Sequence, residues 1–169
     1  MTAAEAIQVM RYRLNDAESL VYTDEELLSY LNLGINAVGV QMVAANNPWC
    51  VSELALTGST STALPDGFHS LLPGQPCEIL GGVMYPCPSD EDRTVRYFKI
   101  PVPIDSDGNI PYPEPYCSNA LNVGMEMAAM RTGHDVAQEH GLHTAISGVI
   151  FPQPVQAPPP TSGGGNAKN

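Results

Sequence analysis

Residues 11–45 read RYRLNDAESLVYTDEELLSYLNLGINAVGVQMVAA, and the fold turns on how that stretch divides. It is the end of one amphipathic helix, an acidic turn, and then a long helix that is apolar nearly all round. Thr23 is a natural N-cap, because its hydroxyl can accept from an amide that the first helical turn leaves without a partner. Glu26, three residues on, completes a capping box, and Tyr22 is placed to fold onto Leu27 as a hydrophobic staple. Asp24, Glu25 and Glu26 put negative charge at the positive end of the helix dipole. Leu27, Leu31, Ile35, Val38 and Met42 then recur at spacings of four, four, three and four, one stripe of an α-helix. Leu33, Ala37, Val40 and Ala44 make a second stripe on a different face, and only Glu25, Ser29, Asn32 and Asn36 form a polar seam. A helix this apolar is expected to bury one face in its own core and the other in a neighbour. That predicts an assembly part, with Leu33, Ala37, Val40 and Ala44 at the interface between subunits.

Outward from this stretch, a first helix is expected from Thr2 to about Leu14, opened by a Thr2–Glu5 capping box and buried along Ala3, Ile7, Met10 and Leu14. Asn46, Asn47 and Pro48 close the long helix. Short β-like runs follow at 51–57, 61–64, 77–80, 83–85 and 94–101, punctuated by glycine and proline. Asp107-Gly108 predicts a hairpin turn between 101–104 and 110–112, while prolines at 101, 103, 111, 113 and 115 reduce the flanks to edge strands or an extended arm. Ser118 is expected to cap a third helix carrying Leu121, Met125, Ala128 and Val136, with Gly133 and Gly141 as possible stops. Met125, Met127 and Met130 suit a core or a neighbour, and core is the simpler assignment. Residues 149–169 are different in kind. Val149, Ile150, Phe151, Pro152, Pro154 and Val155 read as an extended apolar segment, followed by a Pro158–Pro160 step and a Gly163–Gly165 end. The expected fold class is α+β: a small bundle of about three helices, a β-rich insertion at about 51–116 between the second and third, and an extended C-terminal tail. Residues 1–148 would be the domain and 149–169 the tail.

Seven Lys/Arg against eighteen Asp/Glu give a formal charge of −11, which argues against gripping nucleic acid by its phosphates. Acidic charge would suit a wall along which DNA slides without sticking, and it would equally serve solubility alone. The N-terminus reads as a capped helix rather than a signal peptide, and no apolar run is taken to reach the length of a membrane span. Cys50, Cys77, Cys87 and Cys117 are widely spaced and read as reduced thiols, most of them buried, rather than as a disulfide scaffold.

Few residues suggest chemistry. His134, His140 and His143, with Asp135 or Glu139, could collect around a metal, but a helix break at Gly141 would scatter them, so they read as surface histidines. Asp105-Ser-Asp107-Gly108-Asn109 starts like a calcium loop, yet Ile110 stands where the loop needs glycine and Tyr116 where it needs glutamate. Gly81-Gly82 lacks the Lys and Ser/Thr of a phosphate loop, and no serine or cysteine sits in an activating context. Asp90, Glu91 and Asp92 are consecutive solvated carboxylates. Tyr97, Phe98, Tyr112 and Tyr116 are not interleaved with a basic stripe; Arg93, Arg96 and Lys99 fit a solvated strand face or an acidic neighbouring subunit. The sequence assigns no catalytic, cofactor-binding or metal-ligating residue, and no enzymatic activity.

The chain resembles the head–tail connector (adaptor) proteins of tailed bacteriophages. Arg11, Leu14 and Asp16 resemble the end of that family's first helix. Tyr22, Thr23, Asp24, Glu26, Leu27, Leu28, Tyr30, Leu31 and Asn32 resemble the run opening its second, and Leu64, Pro65, Asp66, Gly67, Phe68, Leu71 and Leu72 the Leu-Pro-Asp segment that follows. The resemblance covers roughly the first half of the chain; residues 73–116 match no version of the pattern. It implies a structural virion protein, assembled in the host cytoplasm, whose identical subunits form a ring, usually dodecameric, under the portal protein. The ring would extend the DNA channel without binding DNA specifically and would dock a downstream neck or tail protein, with no membrane partner. The segment from Val149 to Val155 would grip the portal, and the arm at 101–116 would reach an adjacent subunit or the next neck protein. The rival readings are a head-closure or tail-terminator protein and a small metal-dependent enzyme using His134, His140 and His143.

Overall fold

Two capping boxes set the starts of the first two helices. Thr2 Oγ1 accepts from the Glu5 amide at 3.1 Å, and Glu5 Oε2 accepts from the Thr2 amide at 2.8 Å. Thr23 and Glu26 repeat the arrangement at 3.2 and 3.1 Å. Helices α1 (Ala3–Arg13) and α2 (Asp24–Ala44) follow from them. The computed structural model describes residues 1–58, 60–87, 91–133 and 137–151. Beyond α2 lie a short 3-10 turn (Pro48–Cys50), strands β1 (Val51–Leu56), β2 (Thr62–Ala63), β3 (Phe68–Leu71), β4 (Cys77–Leu80), β5 (Val83–Pro86) and β6 (Arg93–Lys99), then helices α3 (Tyr116–Thr132) and α4 (Ala137–Ile150). The fold is α+β.

The main core lies between the helices. Leu27, Leu31, Ile35, Val38 and Met42 of α2 are all buried, as are Ala3, Ile7, Met10 and Leu14 of α1. Burying side chains of this size stabilises by roughly 1.5–3 kcal/mol each. α2 packs most closely on α3, and two glycines permit it. A Cβ on Gly34 would run into the Ala120 carbonyl oxygen, and one on Gly124 would come within 2.9 Å of the Tyr30 carbonyl oxygen. Tyr22 is buried too; its hydroxyl donates to the Ala128 carbonyl at 2.8 Å, tying the entry of α2 to the end of α3. By length and hydropathy α2 does reach the range of a membrane span, contrary to the expectation from its sequence. Its buried stripe packs on α3 instead, which makes it the core helix of this domain.

The strands form two three-stranded antiparallel sheets, ordered β1-β6-β3 and β2-β5-β4. Gly81 and Gly82, both at positive φ, turn the β4–β5 hairpin, as the mirror-image hairpin turns require. A second, smaller core of Leu56, Met84 and Val95 lies between them, edged by Leu54, Leu64, Phe68, Leu71 and Cys77. β3 is the strand missing from the sequence reading: Phe68–Leu71 sits directly after Pro65-Asp66-Gly67 and pairs with β6 through an irregular register.

Four further expectations are corrected. Residues 101–112 make no hairpin ladder. Their prolines remove the amide donors a ladder needs, and the segment folds back across its own domain. There the Gly108 carbonyl accepts from Ala3, Ile110 donates to Met1, and Ile110 is buried. Asn32 clamps the same arm with two hydrogen bonds to Ile104, at 3.0 and 2.8 Å. α3 begins at Tyr116 rather than at a Ser118 cap; the Glu114 carboxylate takes the Ser118 hydroxyl at 2.7 Å. Gly133 ends α3 in the left-handed conformation, and a fourth helix then runs unbroken through Gly141. Ile150 closes α4, with Val149 inside its last turn, and Phe151 folds against Tyr116 with ring centroids 5.8 Å apart. An extended arm therefore does not start at Val149.

Candidate functional site

The opposite face of α2 stays open. Leu33 is 49% exposed and Val40 45%; Ala44 is exposed and Ala37 half-buried against the core edge. Four residues chosen for one helical face thus lie on it, three of them accessible. Leu33 also borders a concavity of about 490 Å³ with Ser29, Asn36, Pro101 and Pro103. Pro101 separates it from a second concavity of about 290 Å³ lined by Trp49, Val102 and Tyr112. Trp49 is 69% exposed and Val102 half-exposed, so the arm clamped by Asn32 extends the apolar surface beside α2. The polar seam is less solvated than its sequence suggests, because Asn32 spends its amide on holding that arm.

Arg11, Asp16 and Tyr22, which carry part of the family resemblance, turn out to be buried structural groups. Asp16 accepts from the amides of Leu20, Val21 and Tyr22 at 2.7, 3.0 and 3.0 Å, and from Arg11 Nη1 at 3.0 Å. Arg11 also donates to the Tyr22 carbonyl and to Asp24. Burial alone would raise the Asp16 carboxyl, but those three amides and the guanidinium hold it below its ordinary range. The knot fixes the α1–α2 loop with Leu20 at its tip, 81% exposed, and Val21 beside it. Sequence reasoning missed this second exposed apolar patch. Its signal was Leu20-Val21 standing in a polar turn.

The histidines are brought together more closely than expected. Because α4 continues through Gly141, His140 and His143 lie on one face, three residues apart. Glu126 of α3 meets both: Oε1 lies 2.7 Å from His140 Nδ1, and Oε2 lies 2.9 Å from His143 Nδ1. Burial would raise the Glu126 carboxyl, yet the two imidazoles hold it below its usual value. His134, Asp135 and Val136 lie outside the described residues, as do the side chain of Glu139 and residues 152–169 with Pro152, Pro154 and Val155. Ser147 donates to the buried Asn119 at 3.2 Å, a second polar tie between α4 and α3.

Cys50 and Cys117 are buried, Cys77 is half-buried and Cys87 exposed, all as free thiols. Burial pushes the Cys117 thiol up to about 11, and raises Cys50 and Cys77 as well, so none of these three is an activated nucleophile. Of the methionines, Met125 is core, whereas Met130 is exposed. The basic residues of β6 do not share one face: Arg96, exposed, pairs with Glu53 of β1 at 3.5 Å, Lys99 is exposed, and Arg93 is half-buried and pairs with Glu91 at 2.9 Å. Set against known protein families and curated proteins, the sequence matches none.

Proposed function

We propose that this chain is a structural component of a tailed-phage neck, a head–tail connector whose copies close into a ring under the portal. The observation that supports this best is the two-faced α2: one stripe fully buried, the other apolar and open along Leu33, Val40 and Ala44. Closed rings use heterologous contacts, in which two different patches of each subunit meet. The α2 face with the clamped 101–104 arm supplies one patch. The Leu20–Val21 tip, held out by the Asp16 knot, supplies the other. The arm then acts by building its own subunit's face rather than by reaching away from it. The −11 charge suits a ring whose lumen passes DNA without holding it. Portal contact falls to the Pro-rich segment from Pro152 onward, with Pro154 and Val155, since Val149 to Phe151 belong to the helical domain. Four helices among the described residues, carrying the larger core, favour a connector over a barrel-like closure or terminator protein.

The test mixes the full chain with candidate portal rings and follows co-sedimentation, with and without residues 152–169. Binding by the full chain, lost on truncation, is the expected result. No binding by the full chain to any portal that shares its phage would remove the connector reading.

A further inference from the structure

We propose that Glu126, His140 and His143 form a binding site for a divalent transition metal of the Zn²⁺ class, which fastens α4 to α3. The inference is independent of the neck reading. One candidate ligand atom from each residue lies within 4.8 Å of those from the other two. A tetrahedral ion sits about 2.0–2.2 Å from histidine nitrogen and carboxylate oxygen, which places its ligand atoms roughly 3.3 Å apart. Glu126 Oε1 lies 2.7 Å from His140 Nδ1 and Oε2 lies 2.9 Å from His143 Nδ1, so the carboxylate already stands between the two rings. An ion would require the three groups to readjust around a common centre. To ligate, each imidazole must present a bare Nδ1 to the ion and carry its N–H on Nε2, while Glu126 binds as the carboxylate.

The ligands are arranged as a site would require. Two come from adjacent turns of one helix and the third from the facing helix, so the set bridges two elements instead of decorating one. Glu126 is nearly buried, with its side chain 12% exposed, which makes it a fixed anchor. His140, at 64%, opens to solvent and leaves room for an entry path and a water ligand. Two imidazoles and one carboxylate favour zinc and its transition-metal neighbours; magnesium and calcium prefer all-oxygen shells.

α4 also has reason to need a fastener. Thr144, Ala145 and Gly148 are exposed, and among the described residues no other element comes within van der Waals reach of where a side chain on Gly141 or Gly148 would start. The Ser147–Asn119 bond and the Phe151–Tyr116 contact also tie this part of the chain to α3. A metal here would fix α4 against α3.

The experiment titrates ZnCl₂ by calorimetry into the untagged, EDTA-stripped full chain, and follows Co²⁺ absorption as a check on ligand geometry. One ion per chain is expected. Glu126→Gln and His140→Ala each weaken binding at least tenfold, and the His140→Ala/His143→Ala pair abolishes it. Far-ultraviolet circular dichroism of each variant confirms that the fold is retained, which the exposure of His140 favours. Cys77 and Cys87 meet at the open end of the β4–β5 hairpin and are the competing donors. A Cys77→Ser/Cys87→Ser variant is therefore expected to bind as the parent does. The absence of binding to the parent chain, undiminished binding by the double-histidine variant, or its loss in the double-cysteine variant would each overturn the site.

Discussion

The helical half and the hairpin half of this chain solve the same problem with unequal resources. α2 and α3 approach until backbone meets backbone through Gly34 and Gly124, and every residue of the α2 stripe is sealed. The β2-β5-β4 sheet buries Met84 and Pro86, Met84 against Leu56 and Val95 of the other sheet, and leaves Ile79, Leu80 and Tyr85 exposed. Global stability therefore resides in the helices, and the sheets are free to be presented or to open locally. The difference also separates what can be mutated from what cannot.

The largest expected effect is at the closest approach. Gly34→Val drives a side chain into the Ala120 carbonyl and should cost about 3 kcal/mol or more, read as the urea midpoint. Leu31→Ala, in the same interface, should cost about 3 kcal/mol by leaving a cavity. Asp16→Asn sharpens the comparison through pH. Because the folded-state carboxyl is held below its ordinary value of 3.8, its contribution is complete above that value. It fades as pH falls through the lowered folded value. The parent should lose stability across that acid window, and Asp16→Asn should start weaker and show a flatter acid limb in urea melts at graded pH. Thr23→Ala removes the cap on α2 for about 1 kcal/mol. Leu80→Ala, on the open hairpin, should change stability by less than about 0.5 kcal/mol. A large loss there would break the contrast between the halves.

How much of this was legible depended on how local the cause was. The capping boxes at Thr2 and Thr23 and the stripe from Leu27 to Met42 are set by neighbours within one or two turns, and they stand where the residues place them. β4 and β5 were legible for the same reason, a short hairpin around Gly81-Gly82. β3 was not, because its partner β6 is more than twenty residues away and its flanking Pro65-Asp66-Gly67 reads as a turn. The arm at 101–112 was misread because its hydrogen-bond partners are Met1, Ala3 and Asn32, which no local window contains. α4 was hidden by Gly141, taken as a stop, and with it the pairing of His140 and His143. Glu126, the third member, is a single acid in an apolar helix and carries no sequence signal. The open α2 face was visible as a second stripe; the Leu20–Val21 tip was not, since its exposure follows from the buried Asp16 knot.

The central claim is that the second stripe of α2 joins one copy of this chain to the next. Mass photometry of the parent and of a Leu33→Asp/Val40→Asp variant, across a concentration series and with portal rings as template, tests it most directly. The account predicts ring-sized assemblies for the parent and only monomer for the variant, with the same circular dichroism for both because neither side chain is in the core. Equal assembly of parent and variant, or a parent that stays monomeric on the template, would contradict it.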